Sequence, residues 1–333
     1  MKKLFLSLVA VIMAATATYA QSQVATLTHE GNVRAFYGYS AFQEAHDAAE
    51  HGDIITLSSG NFKATDITKA ITIRGAGMQT DYENDILPTY VCGDLSIIIP
   101  DSVTEKLNIE GIQFTTGVVM CRITYLKDAV FRRCYIDLGG DRTHEPRLFK
   151  DVLFIQCKIL RPWLGDESNI TAINCYLWGF HSSSKSSSFN FVNCDIESWS
   201  SVYNSNFVNC ILWGNSLVDI SNSANYCVGS SDFDKNDSSI FKNMVENTNK
   251  VVIVKSIFKS FDGDHNVLDE MFELTDEAKA TYLGNDGTEV GMHGGQYPFT
   301  PIPDGPRIIK CNVAKKSSAD NKLSVDIEVS SAE

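Results

Sequence analysis

The densest group of charged side chains in this 333-residue sequence lies between two cysteines, Cys134 and Cys157. Carboxylates that lie close together can act as general acid and general base, and a neighbouring guanidinium can hold an anionic group of a substrate. The residues that could perform this chemistry are Asp141, Arg142, Glu145 and Arg147. A charged turn in contact with water would have the same composition, so the pattern alone does not assign a catalytic role.

A second stretch carries oxygen ligands at the spacing of a calcium-binding loop. In an EF-hand type of loop, Ca²⁺ takes oxygens from positions one, three, five and twelve. The sequence matches these positions with Asp262, Asp264, Asn266 and Glu273. Position six requires glycine for a sharp turn, and here it is Val267. Ca²⁺ is therefore a candidate cofactor at these four residues, with the missing glycine as the observation against it.

The elements that must position such residues are defined by an internal repeat built around cysteine. Five of the nine cysteines have an apolar residue three positions before them and another two positions after. They recur about every 19 residues, at Cys134, Cys157, Cys175, Cys194 and Cys210. Residues two apart in a strand point to the same side, so each copy predicts a short strand. A period near 20 residues with this alternation predicts a solenoid.

The repeated cysteines are predicted to be free thiols that line the inside of the solenoid. Neighbouring coils would lie about 4.8 Å apart, whereas a disulfide needs Cβ atoms about 3.8 Å apart with suitable directions. A free cysteine packs as a small apolar side chain. A metal-binding or redox role is the alternative, but the sequence contains no Cys-x-x-Cys pair.

If the cysteines point inward, the residues one and three positions later point outward. This places Tyr135 and Tyr176 in one outward column and Trp178 and Trp213 in the next. The two tryptophans would lie two coils apart, about 10 Å, close to the length of two sugar units. Aromatic rings suit the apolar faces of sugars. We therefore expect an exposed aromatic platform for a glycan, unless inserted loops or the C-terminal strands cover the rings.

The coils resemble those of one protein superfamily. The residue before the cysteine is asparagine in three copies, Asn174, Asn193 and Asn209, and asparagine tolerates the left-handed backbone conformation of a bend. Coils of the form Phe-x-Asn-Cys-x-Leu/Ile resemble those of the right-handed parallel β-helix, the pectate-lyase-like superfamily. The resemblance implies an all-β fold, a single-stranded right-handed parallel β-helix solenoid with an N-terminal capping helix and a small C-terminal β segment.

Both ends of the chain agree with that resemblance. A capping box from Ser40 to Gln43 predicts a helix that ends at Gly52 and plugs the open end of the core. The run 287–295 resembles the last coil of many secreted bacterial members. Two alternating segments after Pro306 predict a hairpin over the edge of the last coil, which would otherwise invite strand addition. The predicted organisation is therefore a β-helix with its helical cap over residues 21–305 and a β-hairpin cap over residues 306–333.

The first 20 residues predict export. Lys2 and Lys3 precede a short apolar run, and small residues lead up to Ala20. This is typical of a signal peptide that is cleaved after Ala20, and the run is too short to span a membrane. We expect a protein that is secreted, extracellular or periplasmic, without membrane insertion. The formal net charge of −13 argues against nucleic acid and anionic lipid as partners.

The sequence lacks the motifs of the catalytic members of the superfamily. Neither the paired aspartates and Gly-His-Gly of polygalacturonases nor the Arg-x-Pro-x-x-Arg pattern of pectate lyases occurs. We therefore expect a non-catalytic module, glycan-binding or adhesin-like, whose partner is a polysaccharide or a host or cell-surface glycan. The alternative is a polysaccharide lyase or glycoside hydrolase that uses the charged residues between Cys134 and Cys157, because one fold of this kind hosts many activities.

Overall fold

The computed structural model of the chain describes most residues between 23 and 330. The described ranges are 23–84, 86–93, 95–114, 125–138, 146–182, 185–200, 202–214, 221–241, 248–260, 272–305, 307–313 and 325–330. Within these ranges, no helix is long and apolar enough to cross a membrane.

Short strands make up nearly all of the regular structure. The first thirteen are β1 (Val24–His29), β2 (Asn32–Tyr37), β3 (Ile54–Leu57), β4 (Gly60–Lys63), β5 (Thr72–Arg74), β6 (Thr89–Cys92), β7 (Leu107–Glu110), β8 (Ile112–Phe114), β9 (Tyr125–Lys127), β10 (Ala129–Arg132), β11 (Tyr135–Asp137), β12 (Leu148–Lys150) and β13 (Val152–Ile155). The rest are β14 (Lys158–Leu160), β15 (Trp163–Leu164), β16 (Asn169–Ile173), β17 (Tyr176–Ser182), β18 (Ser188–Val192), β19 (Asp195–Ser200), β20 (Ser205–Val208), β21 (Ile211–Gly214), β22 (Ser223–Asn225), β23 (Val228–Ser230), β24 (Lys250–Val251), β25 (Arg307–Val313) and β26 (Val325–Ser330). The helices are α1 (Ala41–Ala48), α2 (Val254–Ile257), α3 (Asp276–Thr281) and one 3-10 turn (Ser238–Phe241).

The strands form a parallel β-solenoid of about eight turns. Sheet A has the order β2-β1-β3-β5-β7-β10-β13-β16-β18-β20-β22, and sheet B has the order β24-β23-β21-β19-β17-β14-β11-β8-β6-β4. From β3 onward, each coil contributes one strand to each sheet, and neighbouring coils pair in parallel register. The prediction of an all-β parallel solenoid is confirmed.

A left-handed bend joins the sheet A strand to the sheet B strand in the central coils. The backbone φ is between 49° and 55° at the bend residues Arg133, Gln156, Asn174, Asn193 and Asn209. Asparagine enters this region at low cost because its short amide side chain can bond the local backbone. The bend turns the next residue, a cysteine in every one of these coils, into the core. The predicted role of the asparagines as bend residues is confirmed.

The inside of the solenoid is a stack of thiols and phenyl rings. Among the residues that the structure describes, six cysteines are fully buried and free: Cys134, Cys157, Cys175, Cys194, Cys210 and Cys227. Their thiols reach carbonyl oxygens of neighbouring strands, as in the 3.5 Å contact from Cys157 to Phe131. Phenyl rings stack from coil to coil beside them, with centroids 5.4 Å apart for Phe131 and Phe154. The predicted thiol ladder is confirmed and extends one coil further, to Cys227.

The N-terminal end is closed by α1, as expected. Phe42 and Ala45 of this helix are buried in the core, and α1 packs against β1 and β2. The details differ from the prediction. Ser40 makes no side-chain capping bond, so the predicted capping box is wrong, and the helix ends at Ala48 rather than at Gly52.

The C-terminal part of the chain takes a path that the sequence did not predict. Residues 284–305, named the strap here, run back along the row of bends towards the N-terminal coils. The strap touches the bends through the bonds Asn209–Asn285, Asn174–Met292, Asn174–Gly294, Gln156–Tyr297 and Arg133–Asp304. The expectation that residues 287–295 form a last coil is therefore wrong, because bend amides and strap carbonyls satisfy each other instead.

The predicted C-terminal hairpin is present as the antiparallel pair β25 and β26. Its first residue, Arg307, forms an ion pair of 3.0 Å with Asp81, and both side chains are buried. Burial opposes ionisation of Asp81, but hydrogen bonds from Asn84 and Arg307 outweigh it and hold the pKa of that carboxyl below its usual value. The hairpin thus begins beside an early coil, and the expectation that it covers the last coil is wrong.

Candidate functional site

The outward face of sheet B, where the aromatic platform was expected, is covered by another part of the chain. Tyr135, Tyr176 and Trp213 are 5%, 1% and 3% exposed, so the expectation of exposed rings is wrong for these three. They belong to a second apolar cluster with residues of the segments 252–258 and 272–283, and with Val290 and Met292 of the strap. We name these two segments the cover.

Aromatic contacts join the cover to the sheet. The ring of Phe272 lies 4.5 Å from that of Tyr176 and 5.8 Å from that of Trp213. Phe258 meets Trp213 edge to face at 5.9 Å. Trp178 is partly buried, with the Arg161 guanidinium 6.0 Å from its ring. The large rings therefore hold the cover on sheet B.

Polar groups on the same face are used internally. The Lys158 ammonium lies 5.5 Å from the rings of both Tyr135 and Tyr176, a cation–π arrangement. The Tyr176 hydroxyl lies 3.2 Å from Glu197. Burial, with help from Asp137, raises the pKa of Tyr135 to about 12. These contacts stabilise a packed interface and leave little open to a ligand.

The charged residues singled out between Cys134 and Cys157 are only partly within the described structure. Asp141, Arg142 and Glu145 lie outside the described residues. Arg147 is 8% exposed. Its backbone N–H donates a hydrogen bond to the carbonyl of Trp163, and its guanidinium donates one to the carbonyl of Leu138. Arg147 therefore holds neighbouring coils together.

Of the four predicted calcium ligands, only one lies within the described structure. Asp262, Asp264 and Asn266 lie outside the described residues. The Glu273 carboxylate accepts hydrogen bonds from Lys259 at 2.8 Å and from Lys279 at 2.9 Å. These two lysines lower the pKa of Glu273 to about 2. Among the residues that the structure describes, no three His, Cys, Asp or Glu side chains converge on a metal site.

The outward face of sheet A is open by contrast. One outward column contains Leu153, Thr171, Asn190 and Asn206, which pair in register from coil to coil. The neighbouring column contains the aliphatic residues Ile155, Ile173, Val192 and Val208. All eight side chains are partly exposed. The face therefore combines a row of amide and hydroxyl groups with a half-exposed apolar row.

A groove of about 450 Å³ lies on this face, across three coils. Its lining includes the polar residues Asp151, Asn169, Thr171, Ser188 and Asn190. The Asn169 amide donates to Asp151 at 3.1 Å, and the Asn206 amide donates to Asn190 at 2.9 Å. The amides are thus held in fixed orientations from coil to coil. This is the arrangement in which a shaped, shallow site can offer both donors and acceptors.

A second groove, of about 490 Å³, lies nearer the N-terminal end of sheet A and is charged. Its lining includes Arg74, Glu110, Arg132 and Asp304. The two carboxylates are already engaged by Arg133, at 2.9 Å for Glu110 and 2.7 Å for Asp304. Neither is placed as an unpaired acid or base.

The sheet A site was missed by the sequence analysis, although a signal for it was present. Thr171, Asn190 and Asn206 each stand four positions before a repeated cysteine, and Asp151, Asn169 and Ser188 each stand six before one. Extending the cysteine template upstream would have shown an outward polar column. The prediction instead rested on the large aromatic residues on the other side of the cysteine, three of which the structure buries.

No family model, no curated protein and no solved structure matches the chain. The assignment as a parallel β-solenoid therefore rests on the strand order and register. A function has to be argued from the site itself, because a fold of this kind hosts many activities.

Proposed function

We propose that this chain is a non-catalytic module that binds a glycan along the open outward face of sheet A. The observation that supports the proposal is the groove of about 450 Å³ lined by the side chains of Asp151, Asn169, Thr171, Ser188 and Asn190. Amide, hydroxyl and carboxylate groups together can donate to and accept from the hydroxyls of a sugar. The neighbouring column of Ile173 and Val192 offers apolar contact for a ring face.

The repeat of the solenoid favours an extended ligand over a small one. Outward positions recur at each coil, about 4.8 Å apart, and the polar column continues through Asn206 to Ser223, whose hydroxyl bonds Asn206 at 2.8 Å. A polysaccharide or a cell-surface glycan chain fits such a linear array. The signal-like first 20 residues and the pectate-lyase-like coils support the same proposal: an exported, adhesin-like right-handed β-helix.

A polysaccharide lyase or glycoside hydrolase is less well supported by the described residues. A glycoside hydrolase of the usual type needs two carboxyl groups on either side of the bond. Among the described residues that line the groove of about 450 Å³, Asp151 is the only carboxylate. Glu110 and Asp304 in the charged groove are held by Arg133. A catalytic function would have to depend on Asp141, Arg142 and Glu145, which lie outside the described residues.

The experiment is a glycan microarray with the full chain, followed by calorimetric titration of the strongest ligand. We expect the double variant Asn169→Ala with Asn190→Ala to bind at least tenfold more weakly, because two oriented amides are lost. Asn61→Ala is the matched control, since Asn61 is exposed on β4 of sheet B; its binding should equal that of the wild type. Each variant should keep a free energy of unfolding within about 1–2 kcal/mol of the wild type.

Three results would overturn the proposal. Absence of binding to any glycan removes the function. Full binding in the double variant, together with loss in Trp178→Ala, moves the site to sheet B. Release of reducing ends from the bound glycan makes the chain an enzyme.

A further inference from the structure

A buried acid lies where the strap meets the solenoid. Asp195, the first residue of β19, is 0% exposed and points outward from sheet B into the strap. Its Oδ1 accepts a hydrogen bond of 3.2 Å from the backbone N–H of Met292. Its Oδ2 is buried and has no hydrogen-bond partner among the described residues. One carboxyl oxygen therefore holds the strap while the other is unsatisfied.

The strap approaches Asp195 unusually closely. Gly291 has a φ of 86°, and a Cβ placed on it would lie 2.4 Å from Oδ1 of Asp195. Only glycine allows this backbone path. The segment 289–295 is thus fitted to the carboxyl group of Asp195, with no room for a water shell around an ionised carboxylate.

A second acid, Glu289, lies close enough to Asp195 to act on its pKa. Glu289 of the strap has a buried Oε2 without a hydrogen-bond partner among the described residues, and the nearest cation is the Lys279 ammonium at 3.9 Å. Around the two acids lie further groups that titrate or carry charge. These are His293 on the strap, Lys279 on α3, Lys259 and Glu273 beside it, Cys210 on the next coil, and Glu197 with Tyr176 on sheet B.

We propose that the strap is a pH-sensitive latch, closed while Asp195 carries a proton and loosened when that proton leaves. A protonated carboxyl group tolerates the dry junction, whereas a carboxylate with one unsatisfied oxygen beside Glu289 does not. The loosened segment is 289–295, which packs with Met292 on the apolar cluster around Tyr176 and Trp213. Opening the latch would therefore uncover part of the aromatic face of sheet B.

The raised pKa of Asp195 determines how closure of the strap depends on pH. Burial raises the pKa of Asp195 well above its usual range, and Glu289 acts in the same direction, against the hydrogen bond from Met292. A group whose pKa is raised in the closed state favours closure below its open-state pKa of about 4. That contribution is lost as the pH rises towards the raised pKa. Between these two limits the opening equilibrium should grow about tenfold per pH unit.

Hydrogen exchange of the full chain from pH 5 to pH 8, corrected for the intrinsic exchange rate, tests the latch. We expect the protection of the strap segment 289–295 to fall as the pH rises in the wild type, by up to about tenfold per pH unit, and to stay level in Asp195→Asn. The variant Glu289→Gln should keep the fall but end it at a lower pH. The amides of β10 are the internal reference and should keep constant protection.

Parallel profiles in the wild type and Asp195→Asn would overturn the proposal, as would an equal fall at β10, which would indicate global unfolding. Infrared difference spectra of the wild type against Asp195→Asn give a second readout. A protonated carboxyl signal that is present in the wild type above the ordinary titration range of a carboxyl group, and absent from Asp195→Asn, is expected; identical spectra at pH 5 would contradict the latch. Neither readout depends on glycan binding.

Discussion

Sheets A and B are built from the same coils and share one core, yet their outward faces differ. The outward face of sheet B carries Tyr135, Tyr176, Trp178 and Trp213 and is buried under the cover and the strap. The outward face of sheet A carries asparagine, threonine and aliphatic residues and stays open. Both faces repeat with the same period, so the period does not distinguish a binding face from a packing face.

The difference shows how large outward aromatic residues in a solenoid should be interpreted. An exposed contiguous patch of such rings is costly, and soluble proteins rarely leave one open. Here the chain supplies its own partner, because Phe258 and Phe272 pack on Trp213. This chain has more than 70 residues after its last complete coil. In such a chain, an outward aromatic column is better interpreted as the surface on which those later residues pack.

Substitutions on the two faces should therefore have very different effects on stability. Trp213→Ala removes a buried ring from the cover and should lower the free energy of unfolding by about 3–5 kcal/mol. Ile173→Ala on the open face should cost about 1 kcal/mol, because its side chain is already partly in water. Urea denaturation of both variants measures the contrast. Equal losses would mean that sheet B is not covered in solution.

The bends between the two sheets offer a second, smaller test. Asn174 combines a left-handed φ of 51° with two hydrogen bonds to the strap, at 2.9 Å and 2.7 Å. Asn174→Ala loses both the favourable backbone conformation and the two hydrogen bonds. The free energy of unfolding should fall by roughly 1–2 kcal/mol for the backbone and by about 1 kcal/mol for each hydrogen bond. Asn174→Gly keeps the backbone freedom, so it should be less destabilising by about 1 kcal/mol.

The measurement is again urea denaturation, with both variants compared to the wild type. A Gly variant as unstable as the Ala variant would mean that the bend conformation contributes nothing at this position. Wild-type stability in both variants would mean that the strap is not bound at the bend.

The sequence predicted what is local and repeated, and it failed where contacts join distant parts of the chain. Cys175 and Asn174 are neighbours, so the bend and the inward thiol could be deduced from one short template. The hydrogen bond from Asn174 to Met292 joins residues that are 118 positions apart, and no repeat in the sequence predicts it. The Arg307–Asp81 pair spans 226 residues. For this reason the sequence left a cover over the rings as an open alternative, and it did not predict the path of the strap or the position of the hairpin.

For the candidate site too, the repeated residues could be predicted and the contacts between distant parts of the chain could not. Asn190 and Asn206 are part of the repeat and were available to a longer template. Whether their face is open depends on where the chain goes after its last coil. Trp213 and Asn190 look equally outward from the sequence, and only the path of the cover separates them. Ser40 is a smaller example, since its capping box fits the sequence rule but the hydroxyl bonds nothing in the helix.

The most direct test of the account is a hydrogen-exchange footprint of the chain with and without the glycan selected on the microarray. Glycan binding on sheet A should slow exchange in β13, β16 and β18, the strands beneath the groove, and leave β17 and β21 of sheet B unchanged. Slower exchange confined to β17 and β21 would contradict it and return the binding site to the aromatic face.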